Sequence, residues 1–392
     1  MSPSSRRLFV LPLLLIGALL LAVAAAGAQS PPDALNPMEE LGKALYFDED
    51  LSAKKNQSCA TCHDPAWGFT GPLSEVNAHG SVYPGSLPNR FGNRKPPTAA
   101  YAGESPILYY DEVEEVWIGG MFWDGRATGE VLGDPVAEQA KGPFLNPLEQ
   151  ALPNAQVLCG RVLKADYADL YEQVWGEPIN CEDEWHVAIV YDRIGLSISA
   201  FEHSAEVNPF SSKYDAFLAG QATLTPLEMQ GLALFEGAAM CSACHPSEAG
   251  PNEEPPLFTD FTYDNLGVPK NPENPFYDMP PVYNPAGADW IDLGLGGFLN
   301  DPDEYGKHKV PTLRNVDRRP SGEVKAYGHN GFFKSLEEIV HFYNTRDVET
   351  WPAPEVPENV NTDELGNLGL TADEEAALVA FMKTLSDGWW TP

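Results

Sequence analysis

Two copies of Cys-x-x-Cys-His constrain this chain more than any other feature. They are Cys59-Ala60-Thr61-Cys62-His63 and Cys241-Ser242-Ala243-Cys244-His245. The pattern is the attachment site of a c-type haem. Its two thiols bond to the porphyrin edge, and the adjacent His offers an imidazole nitrogen to the iron. Two other readings fit less well. A structural zinc site usually draws on two such pairs close together in sequence, and a thioredoxin-like dithiol does not need His in the fifth place. Two motifs imply two irons and a fold built to hold two macrocycles.

Haem attachment of this kind needs an exported chain. Arg6 and Arg7 form a positive start, Leu8 to Ala26 is an apolar run, and Ala26-Gly27-Ala28 before Gln29 matches a small-residue cleavage site. Residues 1–28 therefore read as a signal peptide rather than a retained membrane span, which places the mature protein in the periplasm or at the cell surface. Four of the six cysteines serve the haems, leaving Cys159 and Cys181. In an oxidising compartment these are expected to form a disulfide, stapling a helix-like stretch at 162–175; two buried free thiols are the alternative.

The formal net charge of −33 excludes nucleic acid as a partner. It suits a basic redox protein, and it suits simple solubility equally well. The 36 Pro and 34 Gly are spread through the chain, which points to long ordered loops between short helices.

The chain also repeats itself. Asn36-Pro37-Met38-Glu39 opens an apolar-periodic segment before the first motif, and Thr225-Pro226-Leu227-Glu228 opens one before the second. A capping side chain, Pro at the first helical position and Glu at the third together mark a helix start. Leu41/Leu45 and Leu227/Leu234 recur at helical spacing. Thr371 with Glu374 opens a further helix over 372–385, and 187–201 reads as an apolar helix. The fold class is mainly α: two cytochrome c-like modules in tandem, an N-terminal one over 29–207 and a C-terminal one over 208–392, with the boundary near 208–224. Residues 246–309, rich in Pro, Gly, Asn and Asp, read as a long ordered loop around the second haem.

Five further segments carry a resemblance. They are Arg94 to Thr98 (RKPPT), Phe122-Trp123-Asp124-Gly125-Arg126, Glu138 to Pro143 (EQAKGP), Lys309 to Val316 (KVPTLRNV), and Tyr327 to Asn344. With two haem motifs in order, the sequence resembles the bacterial di-haem cytochrome c peroxidases and their MauG-type relatives over nearly the whole mature chain. The resemblance implies that the N-terminal haem is the peroxide site and that the C-terminal haem handles electrons. His63 and His245 would be the proximal ligands. Glu149 would be the distal acid, with Gln139 its polar neighbour. Trp123 would relay electrons between the haems. The second iron's remaining ligand falls at Tyr343, fourteen residues after His329, where MauG-type enzymes have Tyr and cytochrome c peroxidases usually Met. Met279 and, for the first iron, His79 are lesser candidates. His329 is expected to hydrogen-bond near the haems. His186, His203, His308 and His341 receive no role, and the Trp389-Trp390 pair reads as packing. The family often binds Ca2+ between its domains through an Asn at the place of Lys95. An ammonium cannot coordinate a cation, so calcium is doubtful here.

Three functions compete. The first is a MauG-like oxidase that reacts with H2O2 and oxidises a Trp or Tyr side chain of a partner protein. The second is a cytochrome c peroxidase that reduces H2O2 with electrons from a small cytochrome or copper protein. The third, disfavoured by Gln139, Glu149 and Trp123, is a non-enzymatic electron-transfer cytochrome.

Overall fold

A computed structural model describes residues 34–250 and 254–389. The leader at 1–28 and Trp390 lie outside the described residues. The fold is mainly helical. The first half carries α1 (Pro37–Phe47), α2 (Ser74–Ala78), α3 (Pro135–Leu145), α4 (Ala155–Val162), α5 (Ala168–Trp175) and α6 (Glu184–His203). The second half carries α7 (Lys213–Leu218), α8 (Pro226–Glu236), α9 (Gly294–Leu299), α10 (Leu336–Thr345) and α11 (Ala372–Lys383). The strands are short: β1 (Tyr109–Asp111) pairs antiparallel with β2 (Val116–Ile118), and β3 (Tyr263–Asp264) with β4 (His308–Lys309). Among the described residues, no helix is long and apolar enough to cross a membrane.

The expected start signals are present. Asn36, Thr225 and Thr371 each cap a helix, and Glu39, Glu228 and Glu374 reach back to close a capping box. Two main apolar cores result, one packing α1, α4 and α5 against α6, the other packing α8 and α10 against α11.

The repeat runs deeper than the capping signals. At the α1–α6 crossing, a side chain at Gly42 would run into the Ser197 carbonyl and the Cβ of Phe201. At the α8–α11 crossing, one at Gly231 would meet the Ala377 carbonyl and the Cβ of Phe381. The helix before each Cys-x-x-Cys-His motif thus crosses the last helix of its half of the chain at a glycine, with the same four-residue step on the partner helix. The buried face of α8 is consequently Gly231, Leu232 and Phe235. Leu227 is exposed, so the Leu227/Leu234 spacing does not mark the core face.

A second duplication lies in the loops. Met121 bridges Ala127, and Tyr327 bridges Phe333, each around a tight turn with a left-handed glycine, Gly125 (φ 74°) or Gly331 (φ 65°). Trp123 and His329 occupy equivalent places in these two turns.

Other expectations shift in detail. The stretch 162–175 is not one helix: α4 ends at Val162 and α5 begins at Ala168, with turns between. Cys159 and Cys181 are joined by a disulfide (Cα–Cα 5.9 Å) that ties α4 to the segment before α6. The apolar helix at 187–201 extends to Glu184–His203 because Asp183 caps it. The helix at 372–385 stops at Lys383. The loop over 246–309 holds β3, α9, β4 and several single-turn helices rather than one uninterrupted coil.

Candidate di-haem active site

Both motifs are built alike. Cys59–Thr61 and Cys241–Ala243 form single turns of 3-10 helix, which put the two half-buried thiols of each motif on one side. His63 Nδ1 lies 3.2 Å from the Phe69 carbonyl, and His245 Nδ1 lies 2.8 Å from the Phe258 carbonyl. A carbonyl only accepts, so Nδ1 carries the proton and Nε2 keeps its lone pair for a metal. Phe69 and Phe258 both adopt positive φ (58° and 54°), which turns these carbonyls toward the rings. Burial pushes the His63 imidazole down to about 4, with the Phe69 carbonyl working the other way, and burial lowers His245 too. Both shifts favour the neutral ring, the form that ligates iron.

Glu149 sits beside the first motif. After α3, the Asn146 side chain accepts from the Leu148 amide and its carbonyl accepts from the Glu149 amide. The Glu149 carbonyl takes the Ser86 amide (2.8 Å). Its neighbour Gln150 donates to the Gln57 carbonyl (3.4 Å), and Gln57 in turn donates to the Cys62 sulfur (3.8 Å). Burial raises the Glu149 carboxyl above its ordinary value, against the opposing effects of the Arg126 charge and the Asn146 hydrogen bond. Gln139 lies half-buried on α3, next to Glu138, whose carboxylate caps the amides of Gly129, Val131 and Leu132.

The second motif opens on a large, mainly apolar cavity. Cys241, Cys244, His245, Phe235, Leu378 and Met382 line it, and Tyr343 enters from α10. Burial holds the Tyr343 phenol well above its usual range, helped by the acidic groups around it and opposed by the Arg346 charge. A mainly apolar cavity with paired thiols, an imidazole and a phenol fits a haem. The residues that would hold it are Cys241, Cys244 and His245, with Tyr343 within the same cavity. Met279 is buried but does not line this cavity, so the structure does not support it as a ligand.

Trp123 stands between the modules. It lines the second cavity and also a smaller pocket with Tyr101, Phe261 and Thr312. Its Nε1 donates to the Lys95 carbonyl (2.8 Å), and its ring meets His329 edge-on at 6.4 Å. Lys95 Nζ is turned to Thr70 Oγ1 (3.0 Å) and the Pro96 carbonyl (3.1 Å); burial pushes this ammonium down to about 8. Lys95 supplies a charge here and no metal ligand. Beneath Trp123, Arg94 spans Asp292 with two hydrogen bonds (both 2.6 Å) and reaches Asp124 (2.6 Å), which also pairs with Arg126. Burial works against ionisation of Asp292, but Arg94 and His308 beside it hold this carboxyl well below the usual range.

The remaining candidates fall elsewhere. His79 faces Glu273 at 3.3 Å with its side chain 64% exposed, so in this conformation it is not a ligand. Its loop is pinned to the second module: Lys334 Nζ donates to the Asn77, His79 and Gly331 carbonyls and to Ser81 Oγ. His186 pairs with Asp183, His341 with Glu375 and Glu349, and His203 bonds to the Ser199 and Gly103 carbonyls. Trp389 is half-buried, with its amide on the Ser211 carbonyl. His308, Asp292 and Glu355 were not singled out from the sequence. They line the second cavity together with His329. The only local sign was that His308 directly precedes the KVPTLRNV segment.

The comparisons agree with this geometry. A family profile described as di-haem cytochrome c peroxidase matches residues 36–223. The chain is 35% identical to the methylamine utilization protein MauG of Paracoccus denitrificans over 393 residues, covering 96% of this chain and 95% of that protein. It is 29% identical to the cytochrome-c peroxidase IdrP2 of Denitromonas iodatirespirans over 364 residues, covering 89% of this chain and 81% of that one. The crystal structure of the diheme peroxidase BthA from Burkholderia thailandensis superposes with a TM-score of 0.75 at 31% identity, covering 91% of this chain and 87% of that one. This chain belongs to the family of di-haem cytochrome c peroxidases and MauG proteins, and is an oxidoreductase.

Proposed function

We propose that the mature protein is an exported enzyme that reacts with H2O2 at the haem held by Cys59, Cys62 and His63, and draws the replacing electrons from a Trp or Tyr side chain of a partner protein. The observation that carries this reading is Tyr343 in the second cavity. A bound haem supplies a redox-active iron whose potential follows its axial ligands. A phenolate is a hard anionic donor that favours the oxidised iron, whereas a thioether favours the reduced one. With Tyr343 as ligand, the second centre is a poor store for a reducing electron and suits the sharing of an oxidising equivalent.

The other residues fit this role. Glu149, half-buried beside the first motif, takes a proton from the peroxide and returns it to the departing oxygen. Gln139 orients the peroxide by hydrogen bonding. Trp123 carries electrons between the modules. Its indole N–H faces a backbone carbonyl, which cannot take the proton away, so electron loss leaves a cation beside the carboxylates Asp124 and Asp292.

A second reading is a peroxidase that takes electrons from a small basic cytochrome or copper protein. The net charge of −33 favours it, as does the likeness to IdrP2, named as a cytochrome-c peroxidase. The test is stoichiometric H2O2 added to the fully ferric enzyme, with the absorption spectrum recorded within milliseconds. An immediate Soret change with a near-infrared band is expected. No reaction until one electron is supplied would overturn the oxidase reading and leave the peroxidase.

A further inference from the structure

His308 and His329 stack face to face on the wall of the second haem cavity. Their ring centroids are 3.6 Å apart and their planes lie 7° from parallel. Both are buried, at 9% and 6% exposure. His308 Nδ1 lies 2.9 Å from the Gly306 carbonyl, so it donates there, and Nε2 remains for another partner. That atom has no hydrogen-bond partner, and neither has Nε2 of His329. The charged groups around the stack are Asp292, 3.4 Å from His308 Nε2, and Glu355, 3.8 Å from His329 Nε2, with Arg94 beyond Asp292. A buried polar atom without a partner is costly, which implies a missing one.

A metal ion is the first occupant to consider, and two facts argue against it. Both oxygens of Asp292 are already spanned by the Arg94 guanidinium, whose charge would repel a second cation at short range. The imidazole lone pairs lie in two parallel planes and cannot meet at one ion. A haem, by contrast, brings two carboxylate side chains into this same cavity.

We propose that His308 Nε2 donates a hydrogen bond to a carboxylate side chain of the second haem, with His329 stacked behind it. With both ring nitrogens donating, His308 is a cation; no electron moves. His308 is then a positioning residue. It fixes the haem against His329, whose edge meets Trp123, and its positive charge beside the carboxylate favours the reduced iron. The inference rests on the two-haem assignment and is independent of the partner that is oxidised.

The test uses the holoenzyme with both haems attached. Spectroelectrochemical titration and resonance Raman spectra are recorded for the wild type, His308→Phe, His308→Met and His308→Gln. Phe keeps a flat ring on His329 without a donor, Met provides a second donor-free side chain should Phe not be accommodated, and Gln restores an N–H. The Phe or Met variant is expected to lower the second haem's midpoint potential and shift its carboxylate bending band, leaving the first haem unchanged; Gln, which restores a donor without the charge, should recover most of the band shift and only part of the potential. An unchanged potential and band in the donor-free variants would overturn the proposal. So would equal shifts at both haems. Because no peroxide is involved, the result does not depend on whether the oxidase reading survives.

Discussion

Glu149 shows how little a single residue reveals by itself. In the sequence it follows Asn146-Pro147-Leu148 and has no periodicity or partner pattern, so only the family resemblance marks it. The fold gives it meaning: the Asn146 turn and the Ser86 amide bring it beside Gln57 and the Cys62 thiol and half-bury it. His308 was illegible for the same reason, since its stacking partner lies far along the chain and the cavity exists only once the second module closes. Removing the carboxylate tests the assignment. Glu149→Gln keeps the shape and the hydrogen-bonding reach but cannot relay a proton, so the rate of reaction with H2O2 should fall by about 10²–10⁴-fold, the range for a lost general acid–base group. The pH dependence has a defined sign. To accept the peroxide proton Glu149 must be ionised, and burial raises its folded carboxyl above the ordinary carboxylate range. The wild-type rate should therefore fall as the pH drops through that raised value, and stopped-flow traces of Glu149→Gln should lack that step. A variant as fast as wild type would remove Glu149 from the chemistry.

At the scale of elements, what the sequence announced and what it hid have distinct physical causes. Helix starts were legible because capping is local: Asn36/Glu39, Thr225/Glu228 and Thr371/Glu374 satisfy amides within one turn. The equivalence of Trp123 and His329 was hidden because it rests on left-handed backbone at Gly125 and Gly331, not on hydrophobic period. The contents of 246–309 were hidden too, since its short helices and β3–β4 pair are held by contacts with other segments. The two glycine crossings make the duplicated architecture testable. A methyl group at Gly231 would run into the Ala377 carbonyl of α11, which is backbone and cannot swing aside. Gly231→Ala should cost about 1–3 kcal/mol, as overpacked cores do. Thermal unfolding followed at the second haem's absorption should shift to lower temperature, and Gly42→Ala should do the same at the first. An unshifted midpoint in either variant would mean that the crossing is looser than described.

Several of the molecule's few cations are drawn into its interior. Arg94 ties Asp292 of one module to Asp124 of the other, Arg314 pairs with Asp215 beneath Tyr101, and Tyr101 reaches Asp387 near the C-terminal end. Lys325 is buried with its ammonium on the Trp67, Asn315 and Arg318 carbonyls, and Lys309 reaches across to the Gly119 carbonyl. These contacts lock the modules together around Trp123, and they also withdraw basic side chains from a surface that already has few. With only 24 Lys and Arg against 57 acidic residues, the exterior field is strongly negative. Such a field speeds encounter with a basic partner by about 10–10³-fold at low salt, and it collapses once the screening length approaches atomic dimensions, about 3 Å at 1 M. The second-order rate with a basic redox protein should therefore drop by about tenfold or more between roughly 0.01 M and 1 M salt. The reaction with neutral H2O2 should barely change over the same range, which separates docking from chemistry. A partner reaction indifferent to salt would place recognition on apolar contacts and reduce the acidic surface to a role in solubility.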